Sequence, residues 1–253
     1  MIRKELKEFL DEKVIQFNNP AFIELDPVQI PHIYREKEDM EISGFLVACI
    51  SWGNRVSILK SGRRMMELMG NSPFDFVQNH RPKHLEKLEG IVHRTFNSTD
   101  LIVFVNALKH LYKNKNGLEG IFTRYQTHDS LQPAIYHLKR EFFALPPPER
   151  TRKHLPDSFE GSAAKRINMF LRWMIRKDNA GVDLGLWKDI PPSVLSCPLD
   201  VHTGRVARKL GLLQRKQNDA KAVAELDTVL RSMDREDPVK YDFALFGLGT
   251  LFK

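Results

Sequence analysis

Cysteine is scarce in this 253-residue chain, which contains only Cys49 and Cys197. Two thiols are too few for a disulfide framework or a four-thiolate metal site, and both lie among apolar neighbours, so we expect buried free cysteines. The sequence also lacks a run of about 18 apolar residues, so no transmembrane helix is expected. Its charged, amphipathic N-terminus does not resemble a signal peptide. These absences together predict a reduced, cytoplasmic protein.

The composition is that of a folded globular protein with a basic balance. Hydrophobic residues make up 42% of the chain, which argues against disorder. Lysine and arginine exceed aspartate and glutamate by 39 to 32, and this excess permits nucleic-acid binding without establishing it. The sequence has no metal-ligand spacing, no glycine-rich phosphate loop and no nucleotide fingerprint, so we expect no metal and no cofactor.

Apolar residues recur at helical spacing, and no stretch shows the alternation of a strand, so the predicted fold class is all-α. The predicted helices begin and end at about residues 2–17, 41–51, 55–69, 100–113, 118–125, 131–143, 162–176, 201–210, 219–233 and 240–252.

The segment Cys197–Leu213 has the pattern of a capped helix. Asp200 follows Pro198, and aspartate is a preferred N-cap. Apolar residues at helical spacing follow, with Arg205 and Arg208 on other faces. The residues alone leave open whether Asp200 only caps this helix or also takes part in chemistry.

A second helix start precedes this segment. Gly161, Ser162 and two alanines have small side chains, which allow a ligand to approach a helix N-terminus, and its free N–H groups favour phosphate. Lys165 lies in the first turn, where the helix dipole disfavours a cation. Four polar residues follow one another at spacings of 3, 4 and 4 and so share one face of this helix: Lys165, Asn168, Arg172 and Arg176. This face is either a solvated surface or a nucleophilic lysine followed by phosphate-binding arginines.

Three segments in order resemble the helix–hairpin–helix DNA glycosylases, a superfamily of base-excision-repair enzymes. They read SGFLVACISWGNRVSILKSGRRMMELMG, GSAAKRINMFL and CPLDVHTGRVARKLGL. The third resembles the superfamily's aspartate signature closely, whereas the first two are less specific. The chain also resembles, over all three segments, a bacterial family of unknown function related to these enzymes.

The resemblance implies two helical lobes around a cleft. Residues 41–180 would form a barrel-like lobe with the hairpin and the lysine helix, and residues 1–40 plus 181–253 would form the second. It implies that Lys165 is the nucleophile and Asp200 the catalytic aspartate. The partner would be double-stranded DNA with a damaged base, bound by a monomer that has no iron–sulfur cluster. The implied DNA-binding residues are Gly161, Ser162, Arg172, Arg176, Arg205, Arg208, Trp52 and Asn54.

The chain departs from the superfamily pattern at three points. A Leu-Pro-Gly-Val-Gly hairpin is replaced by LPDSFEG at residues 155–161, and the four-cysteine iron–sulfur loop of some members is missing. Asp200 follows Lys165 by 35 residues, a long spacing that resembles the archaeal-type 8-oxoguanine glycosylases. An oxidised purine is therefore the favoured lesion.

The implied chemistry requires a base flipped out of the duplex. A neutral lysine amine can then attack the sugar C1′ and form a Schiff base, which permits strand cleavage. An ionised Asp200 would orient the amine and stabilise the charge that develops on the sugar. Trp52, at a break between two helices, would either insert into the base stack or pack in the core.

Two other interpretations of the sequence remain. One is a DNA-binding protein of the same fold without catalysis, which predicts salt-dependent binding and no cleavage. The other is a helical interaction protein whose basic surface is incidental, which predicts no DNA binding even at low salt.

Overall fold

The computed structural model describes residues 4–251, which are predominantly helical, as the all-α prediction requires. The α-helices are α1 (Lys4–Phe17), α2 (Ala21–Leu25), α3 (Lys37–Cys49), α4 (Arg55–Leu68), α5 (Pro73–Asn79), α6 (Pro82–Leu85), α7 (Ser98–Asn114), α8 (Gly117–Tyr125), α9 (Gln132–Phe142), α10 (Lys165–Ile175), α11 (Val201–Lys209), α12 (Ala220–Met233) and α13 (Tyr241–Leu251). Short 3-10 helices cover Pro27–Gln29, Pro31–Ile33, Glu86–Leu88, Glu149–His154, Pro192–Val194 and Pro238–Lys240.

One small antiparallel sheet was not predicted. Its strands are β1 (Val92–His93) and β2 (Phe96–Asn97), with Val92 opposite Asn97 and His93 opposite Phe96. Two-residue strands are too short to show an alternating pattern, which is why the sequence did not indicate them. Residues 2 and 3 of the first predicted helix and residue 252 of the last lie outside the described residues.

The chain forms two compact units. The first unit contains residues 4–24, 126–136 and 156–251 of the described chain. The second unit contains residues 25–125 and 137–155. The predicted lobes, 41–180 and 1–40 plus 181–253, stay a prediction. They differ from these units in the assignment of residues 25–40, 126–136 and 156–180.

The first unit is built around α13, which packs against α1 and α11. The sequence of α13, YDFALFGLGTL, is apolar on nearly all sides, as expected of a helix enclosed by others. Its core combines Leu245 and Leu248 of α13 with side chains from α1, α11 and α12: Leu10, Val14, Val206, Leu226 and Leu230. This core holds the starts of α10 and α11, which carry the predicted site.

The second unit is centred on α3, whose residues from Glu41 to Cys49 are all buried. Helix α3 contacts α4 and α5, and α7 contacts α5 and α8. Phenylalanine rings join these elements: the Phe104 ring lies 4.8 Å from Phe142 and 6.2 Å from Phe45 between centroids. Among residues 4–251, the structure has no helix that is long and apolar enough to cross a membrane.

Candidate functional site

The loop that leads into α10 is held by hydrogen bonds within the first unit. Oδ1 of Asp157 accepts the backbone N–H groups of Phe159 and Glu160 at 3.0 and 3.3 Å. Gly161, an exposed residue with φ of +87°, accepts a hydrogen bond on its carbonyl from Ala220 at 3.0 Å. The Ser162 hydroxyl accepts the Ala164 N–H at 3.1 Å. The loop therefore holds one conformation without the glycine-rich hairpin sequence.

Lys165 is the first residue of α10. The prediction that this helix begins at Ser162 was wrong, because Ala164 has a left-handed φ of 47° and so cannot belong to a right-handed helix. No side chain caps α10, and the half-buried Lys165 ammonium has no hydrogen bond or ion pair to any part of the chain between residues 4 and 251. Its amine is thus available to an incoming group.

Asp200 is the N-cap of α11, which confirms its capping role. Its Oδ1 accepts the backbone N–H groups of His202 and Thr203 at 2.8 and 2.9 Å. Its backbone carbonyl accepts the side-chain amide of Asn218 at 2.9 Å. Within the described chain, Oδ2 of this half-buried carboxylate accepts no hydrogen bond. Oδ1 therefore fixes the orientation of the carboxylate, and Oδ2 is not used by the cap.

Lys165 and Asp200 both act on one further carboxyl group, that of Asp242 in α13. Burial raises the pKa of Asp242 to about 6, against the opposing effect of Arg172. The negative charge of Asp200 raises this pKa further, and the positive charge of Lys165 lowers it. Hydrogen bonds from Asn218 to the Asp200 carbonyl and from Ala220 to the Gly161 carbonyl connect the start of α11 and the loop before α10 to one segment of the first unit.

The structure corrects the predicted role of Arg172 and Arg176 in DNA binding. Their side chains are only 4% and 3% exposed. Arg172 binds Asp183 and Asp242, and Arg176 binds Asp183 at 3.1 Å and further carboxylates. Buried guanidinium groups that neutralise buried carboxylates cannot also reach a phosphate backbone, so these residues stabilise the unit internally.

Arg205 and Arg208 connect α11 to neighbouring segments through hydrogen bonds. Arg205 donates to the carbonyl of Gly249 at 2.7 Å, and Arg208 donates to the carbonyl of Arg215 at 2.7 Å and to Oδ1 of Asn218 at 2.7 Å. Both side chains are half-buried. Their contact with phosphates stays a prediction, and these hydrogen bonds already use part of their donor capacity.

Trp52 and Asn54 belong to the second unit. The half-buried Trp52 ring stacks on His154 at 6.0 Å and meets the edge of His93 at 5.4 Å. Exposed Asn54 is the N-cap of α4 and accepts the Ser57 N–H at 3.2 Å. These contacts give both residues structural roles, and their predicted role in probing DNA stays a prediction.

Sequence reasoning missed the buried carboxyl groups behind the Asp200 turn. The Cys197 thiol lies 3.8 Å from Oδ1 of Asp242, and the Cys197 N–H donates to Asp227 at 2.9 Å. Burial raises the pKa of the Cys197 thiol, so it stays protonated and can donate. The available signal was a single aspartate inside the otherwise apolar sequence of α13. No group of three or more His, Cys, Asp or Glu residues suited to a metal ion occurs among the described residues.

The fold and the site define a predominantly helical protein in which Lys165 is the first residue of α10 and Asp200 is the N-cap of α11, both in the first unit. Residues 26–251 match the family described as "Protein of unknown function (DUF2400)", and the chain belongs to this family. No curated protein and no solved structure matches the chain significantly.

Proposed function

We propose that this protein is a DNA glycosylase with AP lyase activity, which removes a damaged base from double-stranded DNA through a Schiff base on Lys165. An oxidised purine such as 8-oxoguanine is the proposed lesion. The observation that carries the proposal is an amine at the start of α10 that has no hydrogen bond or ion pair among the described residues, together with a carboxylate at the start of α11 that uses only Oδ1 for capping. Asn218 and Ala220, two residues apart, bind the Asp200 carbonyl and the Gly161 carbonyl. The resemblance of both segments to the helix–hairpin–helix glycosylases supports it.

In the proposed reaction, the neutral amine of Lys165 attacks C1′ of the flipped nucleotide. The N-glycosidic bond breaks, its electron pair leaves with the base, and the base takes up a proton. The C1′–O4′ bond then opens to give a protonated imine on Lys165. Loss of a C2′ proton expels the 3′ phosphate, and water finally hydrolyses the imine and releases the lysine.

Asp200 contributes as a fixed negative charge. Its Oδ1 is held by two backbone N–H groups at the N-terminus of α11, the positive end of the helix dipole. Its free Oδ2 can orient the amine and stabilise positive charge that develops on the sugar. The capping and the catalytic interpretations of Asp200 are therefore compatible, because one oxygen serves each.

The test is a nicking assay on labelled duplexes that contain one 8-oxoguanine or one abasic site. We expect the wild type to cleave both and Lys165→Gln to cleave neither. Lys177→Gln, at an exposed lysine just beyond α10, is the matched control and should keep full activity. Asp200→Asn should retain the cap, since asparagine caps as well as aspartate, and lose about 10²- to 10³-fold in rate.

The outcomes separate the proposal from its alternatives. Salt-dependent binding to the duplexes without cleavage by the wild type would identify a non-catalytic DNA-binding protein. Absence of binding at low salt would identify an interaction protein without a role on DNA. Cleavage by Lys165→Gln at the wild-type rate would overturn the covalent mechanism.

A further inference from the structure

A groove in the second unit has no role in the proposed reaction. It lies between one face of α7 and the proline-rich segment 145–148, and all of its lining residues belong to the second unit. Its volume of about 490 Å³ falls within the range of about 300–1,000 Å³ that is typical of small-molecule sites. The α7 side follows the helical spacing, with one row formed by Val103, Ala107, His110 and Asn114.

Part of the groove lining is apolar. Phe142 is 2% exposed, and its ring lies 4.8 Å from the Phe104 ring between centroids, so it is packed into the core of the unit. Leu145, which also lines the groove, is 64% exposed. A ligand that covered this side chain would remove apolar surface from water, which is favourable.

The proline-rich wall is stiff and anchored. Pro146, Pro147 and Pro148 follow one another, and each ring restricts φ. The Pro148 carbonyl accepts the Thr151 N–H at 2.9 Å, and the Thr151 hydroxyl donates to the buried carboxylate of Asp100 at 2.7 Å. A preorganised wall loses little conformational entropy when a ligand binds.

Two lysines give the groove a positive charge. Lys109 and Lys113, one helical turn apart on α7, both line it. Neither ammonium has a hydrogen bond or ion pair to any part of the chain between residues 4 and 251. None of the described residues that line the groove is acidic.

The carboxylates that flank the facing segment pair with other cations. Glu141, directly before Phe142, binds Lys115 at 3.1 Å. Glu149, directly after the prolines, binds Arg152 at 3.4 Å. The charge of the two groove lysines is therefore left for a ligand.

We propose that this groove binds a small organic anion, in which a carboxylate, phosphate or sulfonate group is joined to an apolar body. The anionic group pairs with Lys109 and Lys113, and the apolar body covers Leu145 and the proline wall. An inorganic anion gains little here, because ion pairs near the surface contribute little free energy without further contacts. The proposal does not depend on the glycosylase reaction, which uses residues of the first unit.

The test uses anilinonaphthalene sulfonate, a probe that joins a sulfonate to apolar rings and becomes fluorescent when its rings leave water. Titration of the full chain should show one saturable site. Phenylnaphthylamine, which has the same rings without the sulfonate, should bind about tenfold more weakly because it cannot pair with the lysines. Equal affinities for the two probes, or no saturable binding of the sulfonate, would overturn the proposal.

Variants locate the bound probe. Lys109→Gln combined with Lys113→Gln should weaken binding of the sulfonate about tenfold and leave binding of phenylnaphthylamine unchanged. Leu145→Ser should weaken binding of both probes. Lys60→Gln combined with Lys87→Gln is the matched control, because it removes two exposed lysines of the second unit outside the groove, and it should bind as the wild type does. Equal losses in the two lysine variants would show attraction by net charge alone and overturn the site.

Displacement of the probe then distinguishes the anionic groups. Decanoate and decyl phosphate carry different charged groups on the same apolar chain, and the one that displaces the probe at the lower concentration identifies the preferred group. Inorganic phosphate should displace it poorly, since it has no apolar body. Displacement by inorganic phosphate as effective as by decanoate, or by neither decyl compound, would contradict the proposal. This readout involves no DNA cleavage, so it stands or fails separately from the nicking assay.

Discussion

The buried carboxyl of Asp227 provides a quantitative prediction about the segment that carries Asp200. Its Oδ1 accepts the Cys197 N–H at 2.9 Å, and the nearby Arg231 donates to the carbonyl of Leu195 at 2.9 Å. Burial raises the pKa of Asp227 from 3.8 to about 6, although the Cys197 N–H, the Ser196 hydroxyl and Arg231 oppose this rise. The folded protein therefore keeps this proton to a higher pH than the unfolded chain does.

The raised pKa of Asp227 makes the free energy of unfolding depend on pH. Between pH 4 and pH 6 the folded state binds more protons at Asp227 than the unfolded state, so stability falls as pH rises through this window. A pKa rise from 3.8 to about 6 corresponds to about 3 kcal/mol in total. About 1.4 kcal/mol of this loss falls between pH 5 and pH 7.5.

Asp227→Asn should abolish this loss. Asparagine stays neutral and can still accept the Cys197 N–H, so the variant should gain about 1.4 kcal/mol over the wild type between pH 5 and pH 7.5. Urea unfolding followed by tryptophan fluorescence at both pH values measures the difference. Glu236→Gln removes an exposed carboxylate and is the matched control, with a difference that should not depend on pH. A constant difference between Asp227→Asn and the wild type would refute the reasoning.

Three further substitutions test internal contacts and backbone conformation in the first unit. Arg172→Gln should lower the free energy of unfolding by about 3–5 kcal/mol, because it leaves buried carboxylates without their cation, whereas Arg235→Gln at an exposed site should change it by less than about 0.5 kcal/mol. Gly247→Ala should cost about 1–3 kcal/mol, since its Cβ would lie 2.4 Å from the Phe17 ring. Gly161→Ala meets no neighbour and should cost only about 1–2 kcal/mol for its positive φ. Urea unfolding checks all three, and equal losses for Arg172→Gln and Arg235→Gln would contradict the internal ion pairs.

The sequence alone was sufficient to predict features that depend on local interactions. The cap of α11 could be predicted from Asp200 alone, because a capping side chain bonds to N–H groups only two and three residues later, here those of His202 and Thr203. The start of α10 could not be predicted in the same way. Alanine favours helices, and nothing in the local pattern indicates that Ala164 adopts a left-handed conformation.

The arginines of α10 show why the polar face was misassigned. A helical pattern describes only which residues share a face, and it contains no information on what packs against that face. Arg172 pairs with Asp242, 70 residues later, and Arg176 pairs with Asp237, 61 residues later. A single sequence gives no indication of such distant partners, so a buried ion-pair network resembles a solvated or phosphate-binding face.

Asp242 could be predicted from the sequence only in part. A lone carboxylate in an apolar helix can be recognised in the sequence as a group that needs a partner. Its contacts with Arg172 and Cys197 depend on the packing of α13, which the pattern does not reveal. The candidate pair itself, Lys165 and Asp200, was predicted from resemblance, and its catalytic role stays a prediction.

The most direct measurement of the central claim is borohydride trapping on a duplex with an abasic site, followed by peptide mapping of the adduct. Reduction converts a lysine imine into a stable secondary amine, which marks the residue that formed it. The account predicts one adduct on the peptide that contains Lys165, absent in Lys165→Gln and unchanged in Lys177→Gln. An adduct on another residue, or none from a protein that binds the duplex, would contradict it.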